Sequence, residues 1–314
     1  MALLLAGGLA GCTPPVPIVV TTTEAGADHA PGDGVCEVTP GAGDCSLQAA
    51  VDEGNAHPRA AITVPPGDYA GMDLVVTGKV QINWGSPKAV VLGDVSIDVA
   101  AGGHLQAEGL ITGGAESADV ELTVAGVLQL RRSTIANVSP DLLHAVALTV
   151  SPGGTAAVED SILFGGAHAV ENGGGVVVVR SALFNVASGV IGTSGDGVSR
   201  WQATLLSRAV NTGILTVGCF GTGDAASEGY SFYARSGSGC TMAATDQSQL
   251  EVVAWVGGPP GVPYALPAAA VDAIPIGEAG CSPTTLDLYG NPRGLDGNGD
   301  GIPGCDIGAY ERQP

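Results

Sequence analysis

The densest run of metal-type oxygens in this chain is Asp296-Gly-Asn298-Gly-Asp300-Gly301-Ile302-Pro-Gly-Cys305-Asp306. Oxygen side chains at positions 1, 3 and 5, with glycine at 6 for the sharp turn, let a short loop close round a hard cation. The expected Ca²⁺ ligands are the side chains of Asp296, Asn298 and Asp300, the carbonyl of Ile302, and the carboxylate of Asp306. Ile307 stands where an EF-hand places its bidentate Glu, so the expected role is structural. The competing reading is a solvated Asp/Asn/Gly turn pinned by Cys305.

Catalytic chemistry has thinner support. Elimination from an acidic sugar needs a cation to acidify the α-carbon and a basic residue to take the proton. Arg131, Arg132 and Arg180 are the weak candidates for that residue, with Arg200 near them in the repeat. No acidic cluster stands beside them in sequence, and the competing reading is outward arginines on solvated strands. Hydrolysis of a glycoside needs grouped carboxylates, and no Asp-Asp pair or Gly-His-Gly occurs. Trp84, Trp201 and Trp255 are the tryptophans available to stack on sugars. His29, His57, His104, His144 and His168 are scattered, with His144 and His168 spaced to stack on adjacent coils. No nucleophile triad and no phosphate-binding glycine loop can be assembled.

Composition narrows the partners. Acidic residues outnumber basic ones 31 to 11, a formal charge of −20, which disfavours nucleic acid and anionic headgroups. The first residues read as an address: Ala2 to Ala10 is too short to span a bilayer but suits a secretory signal. Leu9-Ala10-Gly11-Cys12 resembles a bacterial lipobox, which would make Cys12 the acylated N-terminus. Setting Cys12 aside leaves six cysteines in three sequence-local pairs, Cys36–Cys45, Cys219–Cys240 and Cys281–Cys305. Bridges of that kind belong to an oxidising, exported compartment.

The elements that must position these residues follow from a repeat between Gly102 and Arg208. Each copy has a glycine turn, alternating aliphatics, a small or hydroxyl residue, then an apolar run. Aligning Gly109, Ser133, Ser161, Ser181 and Ala203 gives steps of 24, 28, 20 and 22 residues. That period, with β-type alternation, is a solenoid signature and predicts roughly eight coils. Aromatics are only 4%, so the column inside must be Val, Leu, Ile and Ala. A β-sandwich would not explain the repeat. The best helix runs from Cys45 to Ala56, with Ser46 as N-cap and Leu47, Ala50, Val51 and Gly54 on one face; it is expected over the first coil.

Two stretches resemble known families. Cys36 with Cys45-Ser-Leu-Gln-Ala-Ala-Val-Asp-Glu-Gly-Asn-Ala and Pro65-Pro-Gly-Asp-Tyr resembles the CSLREA element that opens many bacterial β-helix proteins. Ala49 stands where that motif has Glu, which removes one half of a capping box. Asp287-Leu-Tyr-Gly-Asn-Pro-Arg293 through Cys305-Asp-Ile-Gly-Ala-Tyr-Glu311 resembles the choice-of-anchor Q domain of surface proteins. The resemblance implies an all-β, pectate-lyase-like, right-handed parallel β-helix, exported and surface-associated; neither family implies a reaction.

The expected organisation is a signal with lipobox at 1–12, a tether at 13–30, an N-terminal cap at 31–60, the β-helix at 61–240 and a looped, disulfide-bonded cap at 241–314. The expected role is a monomeric, lipid-anchored rod on the outer membrane or cell surface, attached to the membrane only through its N-terminal lipid. Its expected work is structural, adhesive or glycan-binding, with a cell-wall or extracellular polysaccharide or a surface protein as partner. The alternative is a polysaccharide lyase acting on acidic glycans.

Overall fold

A computed structural model describes residues 14–69, 71–84, 89–91, 94–112, 120–137, 145–185, 189–208, 217–233, 237–248 and 266–314. Cys12, His144 and Trp255 lie outside the described residues. From Ala60 to Ser248 the chain winds through three parallel sheets, named A, B and C here. Sheet A has 10 strands, from β1 (Val16–Val19) and Ala60–Val64 to Cys240–Thr241. Sheet B has 9, from Gly67–Tyr69 to Gln247–Ser248, and sheet C has 7, from Met72–Val76 to Val217–Gly221. The chain is therefore an all-β parallel β-helix.

Period-2 alternation sends every second side chain inward, and the parallel register stacks like on like. In sheet A the inner column runs Ile62, Ile82, Ala107, Leu130, Val158, Val178, Trp201. In sheet C it includes Leu148, Val170, Ile191 and Cys219. All of these are buried in one continuous core. A small residue facing larger ones, as Ala107 faces Ile82 and Leu130, keeps the column filled. Each buried Val, Leu or Ile contributes about 1.5–3 kcal/mol.

Helix α1 (Leu47–Asn55) starts where Ser46 accepts the N–H of Ala49 at 2.9 Å. The cap survives the loss of the Glu that would have closed a capping box. Leu47, Ala50 and Val51 are buried in the same core as the first strands. The Asn55 carboxamide ties the helix end to the first coil, accepting from Thr77 and Gly78 and donating to Val75.

Two expectations need correction. The stretch expected to be a tether contains β1, which pairs in parallel with Ala60–Val64 and buries Ile18. Its Val-Pro-Ile-Val sequence has an inward residue to bury, so it adds a rung to sheet A. The repeat alignment also slips by one at both ends. Strand register makes Gly109, Arg132, Asp160, Arg180, Ala203 and Tyr230 equivalent, in steps of 23, 28, 20, 23 and 27 residues. Ser133, Ser161 and Ser181 are one position later, matched by Thr204 and Ser231.

Those two adjacent columns make the corner between sheets A and B. The first is left-handed throughout, with φ of 80° at Gly109, 46° at Arg132, 48° at Asp160, 47° at Arg180, 53° at Ala203 and 55° at Tyr230. That conformation costs a non-glycine residue about 1–2 kcal/mol. In return the residue's N–H pairs with the next coil: Arg132 to Glu159 O at 3.1 Å, Asp160 to Val179 O at 3.1 Å, Arg180 to Gln202 O at 3.0 Å.

The second column is a fully buried hydroxyl ladder. Ser161 Oγ donates to Glu159 O at 2.6 Å and accepts the Ser133 N–H at 3.1 Å, and Ser181 and Ser133 repeat the pattern. The bend leaves one backbone N–H per coil without a strand partner, and the hydroxyl supplies its acceptor.

Candidate functional site

The C-terminal tail decides what the arginines do. Residues 266–314 are mostly turns, held by the Cys281–Cys305 disulfide and a short antiparallel pair, Ile274–Pro275 with Gly304–Cys305. Cys36–Cys45 and Cys219–Cys240 are also bridged, so all three sequence-local pairs form.

The tail was expected to form part of a cap at 241–314 over the end of the solenoid, of which residues 249–265 lie outside the described residues. It lies instead along the flank, where Ile274, Leu288, Ile307 and Ala309 bury the outward face of sheet B. That face is apolar over Ala136, Ile162, Phe164, Ala182, Phe184, Leu205 and Phe232, so sheet B is buried on both sides at these residues.

At the edge of this interface the tail meets the left-handed corner residue by residue. Gly308 donates to Ala203 O at 3.1 Å, and the Gly280 turn sits against the Arg180 guanidinium. Arg293 is fully buried and reaches 133 residues back along the chain. Its Nη2 meets Asp160 Oδ1 at 3.1 Å and the carbonyls of Gly308 at 2.9 Å and Arg180 at 3.4 Å; its Nη1 lies 3.7 Å from Glu311 Oε2.

Arg180 grips the same Asp160 with two bonds, Nε to Oδ1 at 2.9 Å and Nη2 to Oδ2 at 3.0 Å. Burial opposes its charge, but Asp160 and Glu159 outweigh that and hold the guanidinium above its ordinary pKa. A proton acceptor needs the opposite shift. Arg132 pairs with Glu108, Arg131 with Glu159 at 3.4 Å, and Arg200 with Asp224 at 2.5 Å. The structure therefore places Arg131, Arg132 and Arg180 in ion pairs, and the tail covers part of Arg180.

Beyond Arg293 the tail carries an acidic group with two of its three carboxylates buried. Oxygens of Asp272, Asp306 and Glu311 lie within 4.8 Å of one another. Burial is the main force that pushes Glu311 up to about 7 and Asp306 up to about 6. Backbone N–H groups and Arg293 work in the other direction at both residues. Asp287, also fully buried, accepts from Tyr289, Asn291 and Glu311.

The expected calcium loop is only partly gathered. Asp296 accepts from Gly299 at 2.7 Å and Gly301 at 2.8 Å, Asn298 from Asp300 at 2.8 Å, and Asp300 from Ile302 at 2.8 Å. These oxygens retain lone pairs for a hard cation. Asp306, however, is buried beside Glu311 and the half-buried Asp272, and accepts from Asp272 at 2.8 Å and Arg312 at 2.6 Å. Asp272 is the carboxylate against the loop, accepting from Gly297 and Asn298. Trp84 and Trp201 are buried in the core and offer no exposed face to a sugar. His168 packs its ring 4.8 Å from Phe220.

Sequence reasoning did not assign Asp160, Asp272, Arg293 or Glu311 to any site. A signal for the tail interface was present in Ile162-Leu-Phe, Ala182-Leu-Phe and Leu205-Leu, runs apolar at consecutive positions. Such runs mark strands buried on both faces.

No family model matches this chain, and no curated protein matches it. Among solved structures, a crystal structure of pectate lyase Pel9A is similar over 94% of this chain and 98% of that one, with 12% identity and a TM-score of 0.30.

Proposed function

We propose that this chain is an exported β-helix rod, attached to the cell surface through a lipid on Cys12, with a structural, adhesive or glycan-binding role. The observation that carries the reading is the state of the arginines. Arg131, Arg132 and Arg180 are each neutralised by a carboxylate, and Arg180 helps anchor the tail. Lyase chemistry would ask the same residues for a free base beside a bound cation. The anchor also takes a different form from a long tether. Only residues 13–15 separate Cys12 from β1, so acylation there would hold the first rung within about 15 Å of the lipidated residue. In this reading Ca²⁺ has a structural role in the loop of Asp296, Asn298, Asp300 and Ile302.

The test is incubation of the chain lacking residues 1–13 with acidic and neutral polysaccharides, with and without Ca²⁺. Chain length and unsaturated ends are followed beside a binding assay. Binding without shortening is expected. Unsaturated ends that vanish in Arg180→Lys would establish the lyase instead. A melting temperature indifferent to chelator would remove the calcium role.

A further inference from the structure

The N-terminal end of the solenoid holds a cavity of about 230 Å³. It lies between β1, the turns around Gly34–Cys36 and Gly43–Cys45, and the last turn of α1 with His57 beyond it. Its polar end is Glu53, which is 2% exposed. The Glu53 carboxylate accepts the N–H groups of Gly32 and Gly34 and holds His57 Nε2 at 2.7 Å. Burial works against its charge, yet these donors keep its pKa below the ordinary carboxylate value. The Glu53 carboxylate engages His57 Nε2, and His57 Nδ1 has no partner among the described residues.

The opposite wall follows from strand geometry. The amides of Val16 and Val20 go to the carbonyls of Arg59 and Thr63 on the neighbouring strand side. Alternation turns both the N–H and the C=O of Val19 the other way, toward the edge of sheet A that no described strand pairs, and Pro17 adds a carbonyl there without an N–H. Strand geometry thus gives the lining one backbone donor and two backbone carbonyls, with an imidazole nitrogen of His57 among partly apolar neighbours. An added peptide strand would lose its ladder at Pro17. An anion would meet Glu53. Neutral hydroxyls, each both donor and acceptor, match the set, and the volume suits about one sugar ring, below a drug-sized ligand.

We propose that this cavity is a subsite for a single neutral sugar unit, held by His57 Nδ1 and the outward edge of Val19. The proposal rests on the glycan-binding reading above and gives it a place. The experiment follows the His57 ring resonances by NMR while the chain is titrated with methyl glycosides of neutral hexoses, with glucuronate as the anionic control. A saturable shift with a neutral glycoside and none with glucuronate is expected.

His57→Ala should weaken that binding by about tenfold, the equivalent of one good hydrogen bond. Val19→Pro removes an N–H that no strand among the described residues uses; it should weaken binding severalfold with the melting temperature unchanged. Glycan binding that leaves His57 unmoved and survives both substitutions would overturn the subsite while leaving the glycan-binding reading intact. A chain that binds no glycan at all would overturn both. An equal response to glucuronate would overturn the assignment to neutral sugars.

Discussion

The column inside the coils and the tail interface on sheet B both bury aliphatic and aromatic side chains, yet they are specified differently. Inside, Leu130 is flanked in register by Ala107 and Val158, and any coil presents much the same surface to the next. The tail has one copy and one correct position. Its apolar residues, Ile274, Leu288 and Ile307, would adhere to any apolar face of similar shape. Arg293 is different, because Asp160 is the carboxylate it meets on the coils. Buried ion pairs add little net stability over apolar packing but can fix which arrangement is adopted. A repeating surface needs only pattern, whereas a single docked segment needs an address.

The strongest test removes the address. Arg293→Ala leaves Asp160, Glu311 and Asp306 without its charge at a buried site, and should cost about 3–5 kcal/mol. Leu130→Ala in the column should cost a similar amount, about 2–5 kcal/mol, through its cavity. The two losses should differ in place. Hydrogen exchange is expected to show Arg293→Ala exposing tail amides while the coils stay protected, and Leu130→Ala weakening the coils. Uniform loss in both variants would break the distinction, since tail and coils would then unfold as one unit.

A smaller effect is expected where pattern alone suffices. Ser161→Ala takes the acceptor from the buried N–H of Ser133 and should cost about 1–3 kcal/mol in denaturant unfolding. Ser161→Thr should cost much less, because Thr204 already fills the same ladder, its hydroxyl 2.8 Å from Gln202 O. If alanine and threonine cost the same, the ladder's contribution is packing and not hydrogen bonding.

The coils were legible because their determinants are local and repeated. Ser133, Ser161 and Ser181 recur in fixed relation to alternating aliphatics, which was enough to find the solenoid and two of its steps. Gly109 and Ala203 were misaligned because the left-handed corner accepts Gly, Arg, Asp, Ala and Tyr, so no residue type marks it. The three disulfides were legible because each closes a local loop. The tail's position was not, since Arg293 and Asp160 lie 133 residues apart. The arginines drew attention as candidate bases because sequence shows a charge but not what opposes it across coils. Asp306 was assigned to the loop on spacing; its burial beside Asp272 and Glu311 depends on the folded tail.

The smallest effect separates the two regions by pH. Glu311 has an ordinary pKa near 4.5 and is raised to about 7 in the fold, chiefly by burial. Asp306 is raised from 3.8 to about 6 for the same first reason. For a raised carboxyl the folded chain binds the proton more tightly than the unfolded one. The stabilisation is complete below the ordinary value and is lost as pH rises through the folded value. In the absence of divalent cations, the tail should therefore loosen as pH rises from about 4.5 through about 7, by about 1–2 kcal/mol. Exchange of tail amides relative to coil amides, corrected for intrinsic rates, measures it. Glu311→Gln cannot titrate, so it should reduce that pH dependence, leaving the part due to Asp306, even though the loss of charge disturbs the bond from Asp306 N–H. An unchanged slope in the variant would take Glu311 out of the pH response and leave it to Asp306 and to the chain's overall negative charge, the latter acting on coils and tail alike.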